Sequence, residues 1–392
     1  MPKTGATLDI EWSVLLAACS LNCSAVASQQ EQEKDRLSSL LRRPMRWRVL
    51  SQLAGRHGVE PTLYQAIAEH EDLIPPSELN ALRQSYQTNL HKALFLSREL
   101  LRILECVSAV EAEVMPYKGL ALAELVYGDI ALRQTGDIDL LVRPNDLPQI
   151  RDAIRELGYT PHDSFSDAEE RAYLKSGYEY AFDGTAGPNL LELQWAIQPR
   201  FYAIDFDMDG LFTRAVAVSV AGRPMKTPCP EDMLLVLSAH AAKHVWGRLV
   251  WLCDIARLVN LQSLNWDWIW AEANRLGMVR ILRATLLAAN LLLGATIPVP
   301  AKGSLDDEAA SHIADDVQTQ ITSADGPDVE SLSYFRLMMH LRERPADRLR
   351  FLQRLIFTPG PSEWKAVQLP PAFFSLYRLV RLSRLAARVF RA

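Results

Sequence analysis

Two aspartates lie two residues apart in Gly136-Asp137-Ile138-Asp139-Leu140-Leu141-Val142, a compact apolar run that reads as a strand. Residues i and i+2 of a strand point to one face, so Asp137 and Asp139 project together while Ile138, Leu140 and Val142 share the other. Two carboxylates about 4 Å apart repel by about 4 kcal/mol at an effective dielectric near 20. Such a pair shares a proton, takes a cationic partner, or holds a divalent metal, and Mg²⁺ prefers hard oxygen ligands of this kind. The plain alternative is an exposed strand edge with two solvated acids. Upstream, Lys118-Gly119 falls where a short strand at Val114 gives way to a helix from Leu120 to Tyr127. Backbone N–H groups at a helix start, with no Cβ at Gly119, can approach a phosphate chain closely, and Lys118 adds positive charge there. A glycine needed only for a tight turn is the competing reading. A third acid, Glu192, stands in Leu190-Leu191-Glu192-Leu193-Gln194-Trp195, where Leu191, Leu193 and Trp195 share one face and Glu192 and Gln194 the other. If that strand lies beside the one bearing the aspartates, three carboxylates converge.

A second constellation is His240, Lys243 and His244, which a helix projects to one side, with Trp246, Trp251 and Asp254 following. The histidine spacing invites zinc, but the Glu that follows the first His in a zinc-protease helix is missing. Two readings stand: a helix contributing base, ribose or phosphate contacts to the cleft, or a half-buried helix with hydrogen-bonded histidines. In the first, this helix packs on the catalytic region and closes one wall of the cleft.

The elements that must position these groups fall into three stretches. Residues 1–108 read as helices, punctuated by Pro61, Pro75 and Pro76, with helical apolar spacing from Glu78 to Cys106. Residues 109–227 alternate strands and helices: Asn145 or Asp146 caps a helix from Leu147 to Leu157, and Tyr178–Phe182 and Asn189–Ile197 form a hairpin across Asp183-Gly184-Thr185-Ala186-Gly187-Pro188. Residues 228–392 read as helical. Within them, Ser304–Phe335 carries eight acids and no Lys or Arg, the pattern of a solvated helix and loop. The tail reverses the sign. Arg378, Arg381, Arg384, Arg388 and Arg391 have the spacing of a basic amphipathic helix, fit to touch RNA, an acidic protein partner or a membrane surface, or to dock internally on the acidic stretch.

The 392 residues are 49% apolar and 23% charged, the composition of a globular chain with ample core, and exclude a mainly disordered one. The formal net charge of −5 excludes a basic coat over the whole chain. Five scattered cysteines do not make a disulfide framework and fit a reducing compartment. Leu15-Leu16-Ala17-Ala18-Cys19 imitates a lipoprotein box, but Asp9 and Glu11 precede it with only Lys3 for positive charge, so an amphipathic first helix is the better reading. The uncharged stretch Ala284–Ala301 contains Asn290, Gly294, Pro298 and Pro300, and reads as a buried helix ending near Leu293 rather than a membrane span. A cytoplasmic location is expected.

Taken together, Lys118-Gly119, Tyr127-Gly128, Arg133 and Asp137-Ile138-Asp139-Leu140-Leu141-Val142 resemble the DNA polymerase β-like nucleotidyltransferase superfamily. Within it they resemble an uncharacterised bacterial nucleotidyltransferase family related to abortive-infection toxins. The resemblance extends upstream through Arg56-His57-Gly58-Val59 and Leu63-Tyr64, and downstream through Leu157-Gly158-Tyr159, Pro230–Leu235 and His240–Trp246. Two departures stand out: Leu120 replaces the usual second Gly or Ser, and Gln194 stands where relatives often carry His, so no proton role survives at that position.

The resemblance implies an α+β fold, mostly helical overall, with a small mixed sheet flanked by N-terminal and C-terminal helical regions. It implies transfer of a nucleoside monophosphate from a nucleoside triphosphate to an acceptor hydroxyl on a small molecule, peptide, protein or RNA, with pyrophosphate release. Asp137, Asp139 and Glu192 would hold two Mg²⁺ ions, with Glu192 a general base or only a ligand. Lys118, Gly119, Arg133, His240, Lys243 and His244 would bind the nucleotide, although Arg133 serves equally as the ion-pair partner of the two aspartates. A silent nucleotide-binding or interaction module is the alternative. Asn at either aspartate is expected to abolish transfer while folding survives, with stability even gained through relief of the repulsion.

Overall fold

Apolar residues alternating with acids give Asp137–Val142 (β2) one oily and one charged face, and its neighbours are built the same way. The computed structural model describes residues 10–24, 26–163, 165–184, 190–261, 263–297, 305–322 and 331–391. In it β1 (Val114–Pro116), β2, β3 (Thr160–Pro161), β4 (Glu179–Asp183) and β5 (Leu190–Gln194) form one mixed sheet in the order β1-β2-β5-β4-β3. β2 and β5 run parallel and the other pairs antiparallel. A parallel pair requires a crossover, supplied here by α7 (Leu147–Glu156), β3, α8 (Asp167–Ser176) and β4. The sheet edges differ slightly from expectation. The second hairpin strand is shorter, at Leu190–Gln194, and residues 185–189 of the turn lie outside the described residues. Asp146 is the N-cap of α7, but its side chain makes no capping bond.

The oily face of the sheet joins Ile138, Leu140 and Val142 of β2 to Leu191 and Leu193 of β5 and Tyr180 and Phe182 of β4. Against it pack Leu96, Leu100 and Ile103 of α5 (Pro76–Ala109) and Ile150 and Ile154 of α7. Each such side chain contributes about 1.5–3 kcal/mol on burial, so the sheet cannot turn over, and its acids are committed to the other side.

A larger core is helical. It joins α1 (Ile10–Cys23), α2 (Ala27–Leu41), α3 (Trp47–His57) and α4 (Glu60–Ile67), which precede α5, to α10 (Pro230–Lys243), α11 (Leu249–Leu261), α12 (Trp266–Leu276) and α13 (Val279–Leu293). Helices from before residue 108 and after residue 228 therefore share one interior. The first half of α5 (Leu79, Leu82) lies in this core and its second half in the other. α6 (Gly119–Tyr127) sits between sheet and helices, with Leu122 and Val126 in the helical core and Leu120 and Ala123 in the sheet core.

Several expectations change. α1 is not amphipathic: Val14 to Ser20 are all buried, because α2, α3, α4, α11 and α13 surround it. Its one buried acid, Glu11, takes the backbone N–H and guanidinium of Arg46. β6 (Val216–Val220) and β7 (Arg223–Thr227) form a hairpin that the sequence reading missed, although Val216, Val218 and Val220 alternate with smaller residues and Ala221-Gly222 follows as the turn. Among the described residues, the basic tail helix (Tyr377–Arg391) makes its ion pairs away from the acidic stretch. Arg381 and Arg384 pair with Glu363, whereas Asp307 of the acidic stretch caps its own helix and pairs with Arg280 and Arg283. Asp325, Asp328 and Glu330 lie outside the described residues. α13 ends at Leu293, with Gly294 at φ +64°. All five cysteines are free, and among the described residues no helix is long and apolar enough to cross a membrane.

Candidate active site

The charged face of the sheet opens into a cleft of about 410 Å³, walled on the far side by α10 and the start of α11. The parallel register sets Asp139 of β2 directly opposite Glu192 of β5, with Asp137 two residues back on the same face. Antiparallel pairing on the other side sets Glu179 of β4 opposite Gln194, which brings a fourth acid to the same face. All four line the cleft, together with Tyr117, Lys118, Gly119, Arg133, Gln194, His240, Lys243 and His244.

Burial and mutual repulsion govern these acids. Burial first, then the charge of Asp139, raises the pKa of Asp137. Asp139, with 3% of its surface exposed, is raised by burial, against which Lys118 pulls. Burial and then Glu179 raise Glu192, and burial raises Glu179 against a hydrogen bond from Tyr178. The counterweights are specific. Lys118 Nζ lies 2.6 Å from Asp139 Oδ1. Although burial works against its charge, Asp139, Tyr117 and Glu192 outweigh it and keep the ammonium protonated. Gln194 Nε2 donates to Glu192 at 2.6 Å and Asp139 at 3.2 Å, and reaches Glu179 at 3.5 Å. Its Oε1 accepts from Tyr117. The residue that stands where His was anticipated is thus a neutral tie between three carboxyls.

Gly119 begins α6 with φ +54°, a conformation that L side chains rarely adopt. A Cβ there would meet Thr135 Cγ2 at 3.0 Å and the Asp137 carbonyl at 3.3 Å. The turn therefore brings the N-terminus of α6 against the strand that bears the aspartates.

Arg133 lines the cleft, but its guanidinium is clamped by Asp254 of α11 in two contacts of 2.9 Å, and Tyr127 donates to the same carboxylate at 2.8 Å. Its ion pair is made with Asp254 and not with the two aspartates. Lys243 has no carboxylate partner among the described residues. Its ammonium donates to Tyr178 Oη at 3.2 Å and sits over that ring, and burial lowers its pKa. His240 meets Trp251 edge-on and His244 meets it at a tilt, the three ring centroids 4.8 to 5.3 Å apart. Burial holds His240 well below its ordinary value and His244 at about 4, so both are neutral at pH 7 and offer hydrogen bonds rather than charge.

Sequence reasoning missed Glu179, Tyr178 and Arg248. The first had a legible signal, since Glu179 alternates with the buried Tyr180 and Phe182. Arg248 reaches the cleft mouth from outside any element, donating to the Arg56 carbonyl, and had none.

The donor set is all carboxylate oxygen, which suits Mg²⁺. Among the described residues, however, no three of these acids form a ready-made metal cluster, because Lys118 and Gln194 stand among them.

The model of a family described as uncharacterised nucleotidyltransferase matches residues 43–294, well over half of the chain, and the chain belongs to that family. A nucleoside triphosphate substrate goes with that membership. No curated protein and no solved structure matches the chain.

Proposed function

We propose that this chain is a Mg²⁺-dependent nucleotidyltransferase of the polymerase β-like type, moving a nucleoside monophosphate onto an acceptor hydroxyl. The observation that carries the reading is the parallel β2–β5 register, which puts Asp137, Asp139 and Glu192 on one face of an open cleft beside the N-terminus of α6. Asp137 and Asp139 would hold the ion that carries the triphosphate, and Glu192 with them a second. Bound there, such ions would supply charge neutralisation of the phosphates and activation of the attacking oxygen. Lys118, released from Asp139, is placed with the N–H groups at the start of α6 to take a phosphate. Lys243, which lacks a carboxylate partner among the described residues, would support the same end of the substrate from the opposite wall. The acceptor oxygen forms a bond to the α-phosphorus, the bond from that phosphorus to the β-bridging oxygen breaks, and pyrophosphate leaves with the electron pair. The acceptor proton passes to a cleft carboxylate, for which Glu192 and Glu179 are both placed.

One observation favours the silent binding module as a second reading: Lys118 already neutralises Asp139. Incubation of the chain with each α-labelled triphosphate and Mg²⁺ in a lysate of the source organism separates the two. Label should move to an acceptor in the wild type and fall by about a hundredfold or more with Asp137→Asn, the scale of losing a transition-state charge contact. Triphosphate binding without label transfer, or equal transfer by the variant, overturns the enzyme reading.

A further inference from the structure

A second and larger concavity, about 920 Å³, lies between α8 and the segment from Phe357 to Arg378, and the proposed chemistry does not use it. Its rim carries Arg171, Lys175, Arg200 and Arg378, and among the described residues no acid lines it. Among the described residues these four have no carboxylate partner, although the chain as a whole has net charge −5. Its floor is apolar, with Phe357, Phe374 and Trp364.

The groove and the catalytic cleft share a wall. Two segments run side by side there, with Trp195 N donating to the Tyr178 carbonyl and Arg200 Nη1 to the Lys175 carbonyl, each at 2.9 Å. Tyr178 and Ile197 line the cleft, while Lys175 and Arg200 line the groove. Three residues of extended chain span at most about 10 Å, so the lining residues of the two cavities lie close together across this wall.

We propose that the groove docks an acidic polypeptide segment with apolar side chains, making the acceptor of this enzyme a hydroxyl on a peptide or protein; the substrate class thus rests on the nucleotidyltransferase reading. The rim fits carboxylates. The floor favours a peptide over single-stranded nucleic acid, because successive bases stack on a series of open ring faces. Trp364 packs edge-on to Phe165 and Tyr173 and is 6% exposed, Tyr377 beside it is 1% exposed, and Phe374 is half-buried, which leaves Phe357, 51% exposed, as the one open ring among the described lining residues. A single open ring seats an apolar side chain but gives a run of bases no platform.

The test selects short random peptides, displayed on phage, on the full chain and in parallel on Arg171→Glu/Arg378→Glu. Both positions are exposed and outside the catalytic cleft, and a melting curve checks the fold, with Lys175→Glu as the second variant. Peptides rich in Asp and Glu with Leu, Phe or Trp should be enriched on the wild type. The best of them, labelled and followed by fluorescence anisotropy, should lose about tenfold or more in affinity to the double variant. Enrichment of basic peptides, or of none, overturns the proposal. So does oligouridylate that binds tighter than the peptide and responds to the same substitutions, which gives the groove to nucleic acid. Asp139→Asn should keep peptide binding, and the groove variant should keep triphosphate binding. Failure of the wild type to bind triphosphate with Mg²⁺ therefore sinks the enzyme reading without touching the groove.

Discussion

Asp139 and Asp137 share a face but not a fate. Asp139 is almost fully buried and holds Lys118 at 2.6 Å, whereas Asp137 has no such partner and feels mainly burial and its neighbour's charge. The expectation that Asn at either position relieves repulsion alike therefore needs correcting. Asp139→Asn takes from the buried ammonium of Lys118 its 2.6 Å partner, leaving the more distant Glu192, Glu179 and Asp137, and should cost about 2–3 kcal/mol, since removing one partner of a buried pair is expensive. Asp137→Asn removes only a strained charge and should gain up to about 1 kcal/mol. Urea unfolding without Mg²⁺ measures both, and equal effects of the two substitutions would show that the Lys118 contact is energetically idle.

Elements bring these residues together through two devices. The first is the crossover that lays β5 beside β2 in parallel, so that one register decides which acids meet. The second is the turn at Gly119, which sets the start of α6 against β2. Gly119→Ala should cost about 1–2 kcal/mol through its positive φ alone. The new methyl, at 3.0 Å from Thr135 Cγ2, should also push the helix start away from the aspartates and weaken triphosphate binding. Calorimetric titration with a triphosphate and Mg²⁺, beside a melting curve, checks this. Unchanged affinity in a destabilised variant would remove the helix start from the phosphate site.

At the scale of the whole molecule, helices from both ends of the chain close one core over the cleft, and His57 lies at that junction. It is 1% exposed, meets the Trp12 ring, and accepts from Leu249 N at 3.4 Å through Nδ1. Burial, then the charges of Arg56 and Arg248, lowers its pKa to about 4. An unfolded chain takes up the proton near 6.5, while the folded one refuses it until about 4. The stability that depends on a neutral His57 is therefore complete above pH 6.5 and lost as pH falls from there toward 4, by at most about 1.4 kcal/mol per pH unit. His240 and His244 act in the same direction. Urea unfolding at pH 7 and pH 5 should show the loss, and His57→Gln should flatten the slope; a variant with the wild-type slope puts the dependence elsewhere.

The sequence by itself determined what is local. The period-two pattern around Asp137 and Asp139, the glycine at the start of α6 and the end of α13 at Leu293 follow from backbone geometry within a few residues. So did the likeness that led to the family, because it rests on residues close together in the chain. Partners far apart in the chain were illegible. Nothing near Arg133 points to Asp254, 121 residues on, and nothing in the tail singles out Glu363 over the richer acidic stretch before it. The same limit hid the burial of α1, whose polar residues look like a wet face until five other helices are packed around them. Gln194 shows the limit most directly. Sequence could say only that it cannot titrate, while the amide's position among three carboxyls was decided by the pairing of β4, β5 and β2, an energy summed over the whole sheet and both cores.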